Sequence, residues 1–80
     1  MSDMERELQE IFQRVFNNQT VRITRELTAR DVPEWDSLSN VNLILAIEEH
    51  FQVKFAIRDV ARLNNVGELM DLIARKKSAP

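Results

Sequence analysis

The chain has 80 residues, 44% of them hydrophobic and 30% charged, with a formal net charge of −2 and no cysteine. That length holds one modest core, with about 60% of the unfolded surface buried, so residues 1–80 read as a single domain. Without cysteine there is no disulfide framework, zinc knuckle or thiol nucleophile to consider, and no apolar run approaches the ~20 residues of a membrane span. Met1-Ser2-Asp3-Met4-Glu5 lacks the basic and apolar regions of a secretion signal, so a cytoplasmic protein is expected.

The first helix is the clearest element. Met4, Leu8, Ile11, Phe12, Val15 and Phe16 follow the i, i+4, i+7, i+8 spacing of one apolar stripe, which reads as core. Ser2 with Glu5 makes a capping box at its start, and Asn17-Asn18 stops it, because Asn tolerates the left-handed conformation that ends helices. Residues 19–36 read as a long connection. Val21 and Ile23 alternate with polar residues but have no partner strand, so they are expected, with Leu27 and Val32, to peg the loop to the bundle. Pro33 discourages helix at Val32, and a loop of this length in so small a domain is often functional.

A second helix is predicted over Ser37–Phe51 with Asp36 as N-cap. A linker over Gln52–Phe55 and a short helix over Ile57–Leu63 follow. Asn65 caps a last helix, with Glu68 at the capping-box position and Val66, Leu69, Met70 and Ile73 as its core face. Arg75-Lys76-Lys77 suits the negative end of that helix, and Ser78-Ala79-Pro80 is expected to fray. The fold class is therefore all-α.

Charge is unevenly distributed. From Asp31 to Phe51 there are five acids (Asp31, Glu34, Asp36, Glu48, Glu49) and no Lys or Arg, whereas the rest of the chain carries a net +3. This argues for an acidic surface meeting a basic partner, the alternative being an ordinary solvated face, and it argues against a nucleic-acid stripe.

At about 100° per residue the second helix has two apolar sides. Asn40, Leu43, Ile44, Ile47 and Phe51 form one, long and bulky enough for the core. Leu38, Val41 and Leu45 form the other, beginning beside Ser37 and edged by Glu48 and Glu49. Such a strip is either a second buried side or a docking surface. The carboxylates favour docking, since unpaired acids are almost never fully buried. Ser37 is not placed to be a catalytic nucleophile. The single histidine, His50, lies about 20 Å further along the same helix on another face, out of reach as a base. No Gly-rich phosphate loop exists, Gly67 being the single glycine. No catalytic residue and no metal site is assigned.

Asp36-Ser37-Leu38, followed by Val41, Leu43, Ala46, Ile47, Glu48, Glu49 and Phe51, resembles the signature of the acyl carrier protein family. The likeness continues through Arg58-Asp59-Val60 and Asn65-Val66-Gly67-Glu68-Leu69, and so covers most of the chain. The tripeptide alone is a weak signal; the tripeptide at a helix start with the downstream pattern in register is a strong one. The resemblance implies a four-helix bundle with a short third helix and a long loop between helices 1 and 2. It implies 4′-phosphopantetheine attached to Ser37 by a separate magnesium-dependent phosphopantetheinyl transferase using coenzyme A, with Asp36 and Leu38 as further cofactor-binding residues and Asp36 helping to present the serine to that enzyme. Acyl groups would ride as thioesters on that arm, loaded by a ligase or acyltransferase and passed to downstream biosynthetic enzymes. Leu38, Val41, Leu45, Glu48 and Glu49 would be the docking strip, and a monomer without catalytic activity of its own is expected.

The chain departs from carriers of bulk fatty acid synthesis, which are usually acidic at the positions of Ser39, Asn42 and His50. The run Val32-Pro33-Glu34-Trp35-Asp36-Ser37-Leu38 resembles dedicated carriers of specialised pathways, although Trp35 equally suits a plain loop anchor. A specialised acyl, polyketide-like or amino-acyl pathway is therefore expected, with general fatty acid synthesis as the alternative. Two other classes stay open on sequence: an unmodified helical interaction module, and a helix-turn-helix DNA binder that the acidic middle segment disfavours.

Overall fold

The computed structural model describes residues 3–78 and contains four α-helices: α1 (Asp3–Val15), α2 (Ser37–Phe51), α3 (Ile57–Ala61) and α4 (Val66–Ser78). A single 3-10 turn, Ala29–Asp31, interrupts the long α1–α2 connection, and no strand occurs among the described residues. The Ser2 half of the expected capping box on α1, and Ala79 and Pro80, lie outside the described residues. Ser78, expected to belong to a frayed tail, is the last residue of α4.

The core is built as the periodicities require. Leu8, Ile11 and Phe12 of α1 meet Leu43, Ile47 and Phe51 of α2 and Val66, Leu69, Met70 and Ile73 of α4, all of them buried. Val21, Ile23 and Val32 of the connection are buried in the same cluster, with Leu27 packed against it. The loop is held along α1 by two glutamines one turn apart. Gln13 Nε2 donates to the carbonyls of Gln19 and Val21, and Gln9 Oε1 accepts from the Ile23 amide. These bonds satisfy backbone groups that a strand partner would otherwise take.

Helix ends follow local chemistry. Asn17 has a φ of 51°, its amide bonds the Arg14 carbonyl, and the Asn18 amide bonds the Gln13 carbonyl, a Schellman ending of α1. Gln52 plays the same part after α2 with a φ of 57°, and the Val53 amide reaches the Glu48 carbonyl. The short helix α3 stops at Ala61 and not at Leu63. The amides of Arg62 and Leu63 bond three residues back, to Asp59 and Val60, a tight winding that does not propagate.

The head of α4 is capped from two sources. Asn65 Oδ1 accepts from the Glu68 amide at 2.9 Å, as expected, whereas Glu68 Oε1 reaches past Asn65 to the Asn64 amide at 2.9 Å. The α1–α2 connection supplies the rest. The Val66 amide donates to the Leu27 carbonyl and the Gly67 amide to the Arg25 carbonyl, both at 2.9 Å. A Cβ at Gly67 would lie 3.0 Å from that carbonyl oxygen and 3.0 Å from the Arg25 Cβ, which is why this helix position is glycine. Arg25 also grips Asp71 with both terminal nitrogens, at 3.2 and 2.9 Å, closing the loop onto α4.

Candidate functional site

The start of α2 is over-determined. Asp36 takes the N-cap in an extended conformation, and its Oδ1 accepts from the Ser39 amide at 2.9 Å. Ser39 Oγ accepts from the Asp36 amide at 3.0 Å and lies within bonding distance of both the Glu34 carbonyl and the Asp36 carboxylate. This reciprocal pair is a capping box in which Ser replaces the usual Glu at the third helical position. Its hydrogen bonds, chiefly the one from the Ser39 amide, hold the Asp36 carboxyl below the usual carboxylate range.

One residue earlier, Trp35 anchors the approach. Its ring packs edge-on against Phe12 at 5.3 Å and tilted against Phe16 at 5.9 Å, and its Nε1 donates to Asn40 Oδ1 at 2.9 Å. The loop-anchor reading of Trp35 is thus what the packing shows. Between these fixtures Ser37 is the first residue of α2 and stands exposed. Leu38, beside it, is also exposed. His50 is near the other end of α2, where its Nε2 lies 2.8 Å from Glu7 Oε1 of α1 and its ring packs on Phe51. The structure therefore keeps the histidine and the serine apart, and His50 ties α1 to α2.

The two sides of α2 separate as the wheel suggests. Leu43, Ile47 and Phe51 are buried and Ile44 is half-buried, whereas Leu38, Val41 and Leu45 are 75, 55 and 58% exposed. A fourth exposed apolar residue, Ile57 at 90%, opens α3. Between α2, α3 and the head of α4 lies a cavity of about 480 Å³ with Ser37 on its wall, together with Asn40 and Ile44 of α2, Val60 and Ala61 of α3 and Leu69 of α4.

The acidic segment is less available than its composition suggests. Asp31 accepts from Thr28, Glu34 from Asn18, and Asp36 from Ser39. Glu48 is half-buried, and its Oε2 accepts from the Phe55 amide at 2.8 Å, holding the linker after α2. Of the five acids, Glu49 alone has a carboxylate without a hydrogen bond or ion pair among the described residues.

Comparison with known proteins shows the family. The family model for the phosphopantetheine attachment site matches residues 6–73. An acyl carrier protein of Buchnera aphidicola (subsp. Schizaphis graminum) is 32% identical over 76 residues, covering 95% of this chain and 96% of the relative. The chain belongs to the acyl carrier protein family. Among solved structures, the solution structure of a holo acyl carrier protein from Geobacter metallireducens superposes with a TM-score of 0.88 at 41% identity, covering 94% of this chain and 86% of that one. A Mycobacterium tuberculosis protein provisionally described as an acyl carrier protein superposes with a TM-score of 0.81 at 26% identity, covering 90% and 96%. The prosthetic group of this family of carriers is 4′-phosphopantetheine, and the four-helix architecture is the one these relatives share.

Three features of the site escape a reading of the residues alone. Ser39, notable in sequence as a missing acid, is half of the α2 capping box, and the Asp-x-x-Ser spacing was its visible signal. Asn40 is the acceptor for Trp35, a pairing that only packing creates. Ile57 looks like any apolar residue of a short amphipathic helix, and its exposure follows from how α3 sits.

Proposed function

We propose that Ser37 carries the 4′-phosphopantetheine arm and that the chain presents acyl intermediates, held as thioesters on that arm, to partner enzymes. The observation supporting this most directly is the exposed placement of Ser37 as the first residue of a rigidly capped helix. A phosphodiester there fits the local field. Its anionic oxygens would sit at the positive end of α2, where first-turn amides favour negative charge. The Asp36 carboxylate is already engaged by Ser39, so it steadies the helix start and does not act as a base. When attached, the arm supplies the thiol that a cysteine-free chain lacks. Deprotonation of the Ser37 hydroxyl falls to the separate transferase, since no histidine or carboxylate among the described residues is bonded to it.

Docking is assigned to Leu38, Val41 and Leu45 with Glu49 as the acidic margin; Glu48 contributes charge while its carboxylate holds Phe55. Once docked, the tethered cargo reacts as an intramolecular partner, at millimolar effective concentration for a short flexible tether. Intact-protein mass spectrometry after incubation with coenzyme A, Mg²⁺ and a broad-specificity phosphopantetheinyl transferase tests the assignment. The wild-type chain gains one phosphopantetheine and Ser37→Ala gains none. An unmodified wild type, or a modified Ser37→Ala variant, overturns it.

The same reading extends to pathway. The lack of a carboxylate at Ser39, Asn42 and His50 supports a specialised acyl, polyketide-like or amino-acyl pathway over general fatty acid synthesis. Acylation of the holo chain by general fatty acid synthesis enzymes, compared with dedicated ligases, separates the two. Efficient turnover by the former sinks the specialised assignment.

A further inference from the structure

Two asparagines on the wall of the Ser37 cavity have carboxamides whose orientation is set by donor-only partners. Asn40 follows Ser37 by three positions on α2, so the two are neighbours on one face of the helix. Its Oδ1 accepts from Trp35 Nε1 at 2.9 Å, and an indole N–H can only donate. The carboxamide oxygen must therefore face the ring, and the amino group must face away from it. Asn65, on the α4 side of the same cavity, is fixed in the same way: its Oδ1 accepts from the Glu68 amide at 2.9 Å. Both residues are half-buried, yet neither Nδ2 has a hydrogen-bond partner among the described residues. Neither is sealed away, so both amino groups are open to a ligand.

The rest of the wall decides what those donors can meet. Ile44 of α2, Val60 of α3, Leu63 and Leu69 of α4 supply hydrocarbon around the two amino groups. Asn64, on the exposed rim, spends its amino group on Glu68 Oε1 at 3.4 Å and adds no donor. Asp36 is the acid among the lining residues, and its charge disfavours a second anion beside it. A saturated chain entering this cavity strips water from the free N–H groups and gives nothing in exchange. A chain with a neutral oxygen satisfies them.

We propose that Asn40, assisted by Asn65, selects acyl cargo carrying a neutral oxygen beyond the thioester, an oxo or hydroxyl group, over a saturated chain of the same length. Discrimination of this kind arises because the lesser ligand leaves the donors unpaired. Water still reaches the open side of the cavity, so the preference is that of one ordinary hydrogen bond, about fivefold. The proposal rests on the reading that Ser37 bears the acyl-carrying arm, and it adds to that reading a cargo class and the residue that sorts it. Asn40 acts here by binding and takes no part in making or breaking a bond.

Two variants remove the donor and keep its anchor. Asn40→Asp retains an oxygen for Trp35 Nε1, and Asn65→Asp retains one for the Glu68 amide, while each exchanges the amino group for an acceptor. The chain without its arm is titrated with the hexanoyl and 3-oxohexanoyl thioesters of N-acetylcysteamine and followed by NMR. An oxo group is used because it only accepts, whereas a hydroxyl could donate to the new carboxylate. The Asn40 side-chain amide protons shift with the oxo compound, whose Kd is about fivefold lower than that of the hexanoyl compound. Asn40→Asp brings the two Kd values together, and Asn65→Asp narrows the gap. If the wild type binds both thioesters equally or neither, or if Asn40→Asp keeps the preference, the proposal is wrong. The same two acyl groups, loaded on Ser37 by the transferase, give a second readout in thioester cleavage by hydroxylamine. Relative to the free acyl-coenzyme A, the oxo cargo is protected about fivefold more than the hexanoyl cargo in the wild type, and equal protection overturns the proposal. Failure of Ser37 to accept the arm counts against the attachment reading alone, because the titration needs no arm.

Discussion

Trp35 and Asn40 close a clamp across the turn that presents Ser37: the indole Nε1 donates to the Asn40 carboxamide oxygen at 2.9 Å while the ring rests on Phe12 and Phe16. One residue precedes the serine in the loop, the other follows it in α2, so the bond ties loop and helix on either side of the site. Replacing Asn40 by Leu leaves the half-buried indole N–H without its acceptor and costs about 1 kcal/mol in urea unfolding. Trp35→Phe loses the same bond and part of the packing, costing about 1–2 kcal/mol. Both variants lower the rate of transferase modification at Ser37 if the clamp fixes the helix start, and mass spectrometry at short times reads that rate.

The Asp36 cap makes the start of α2 sensitive to acid. Its carboxyl is held low in the folded chain, chiefly by the Ser39 amide and then by the Ser39 hydroxyl. Because the folded value lies below the unfolded one, its stabilising contribution is present above the unfolded carboxylate pKa of about 3.9. It is lost as pH falls through the folded value. Carboxyl NMR titration shows Asp36 rising only part of the way toward the ordinary range in Ser39→Ala, because the amide bond at position 39 remains, and Asp36→Asn flattens the loss of thermal stability in that acidic window.

Gly67→Ala pits helix propensity against a steric conflict. Alanine favours a helix interior by up to about 1 kcal/mol over glycine. Here the new methyl meets the Arg25 carbonyl oxygen at 3.0 Å, and that oxygen is itself bonded to the Gly67 amide. The loop must move off α4, loosening the Arg25–Asp71 grip. A net loss of about 1–2 kcal/mol is expected in chemical denaturation, with faster exchange of the Val66 and Gly67 amides.

Leu43 and Leu45 sit two residues apart on α2 and should respond oppositely. Leu43 is fully buried, and Leu43→Ala costs about 2–5 kcal/mol. Leu45 is 58% exposed, and Leu45→Ala stays within about 0.5 kcal/mol of wild type. A docking role for Leu45 then appears as a raised KM with a partner enzyme at unchanged stability, measured on holo chain beside a urea curve.

Local chemistry explains why so much was legible beforehand. The α1 stripe, the Asn17 stop, the Asp36 cap and the full span of α2 all rest on residues within four or five positions of one another, so periodicity and capping rules reach them. The loop pegs Val21, Ile23 and Val32 were legible because an apolar residue in a polar run has few places to go except the core. Family membership was legible too, because Asp36-Ser37-Leu38 and the pattern after it lie in one continuous stretch.

Tertiary structure decided what those rules do not reach. Arg25 meets Asp71 across 46 positions and His50 meets Glu7 across 43, and no local pattern brings such pairs together. The acidic segment is the sharpest case. Sequence alone counted five carboxylates between Asp31 and Phe51, but folding placed a donor beside four of them, Glu48 among these through the Phe55 amide. A residue's charge is written in its identity; whether that charge is free to meet a partner depends on which donors packing brings within reach.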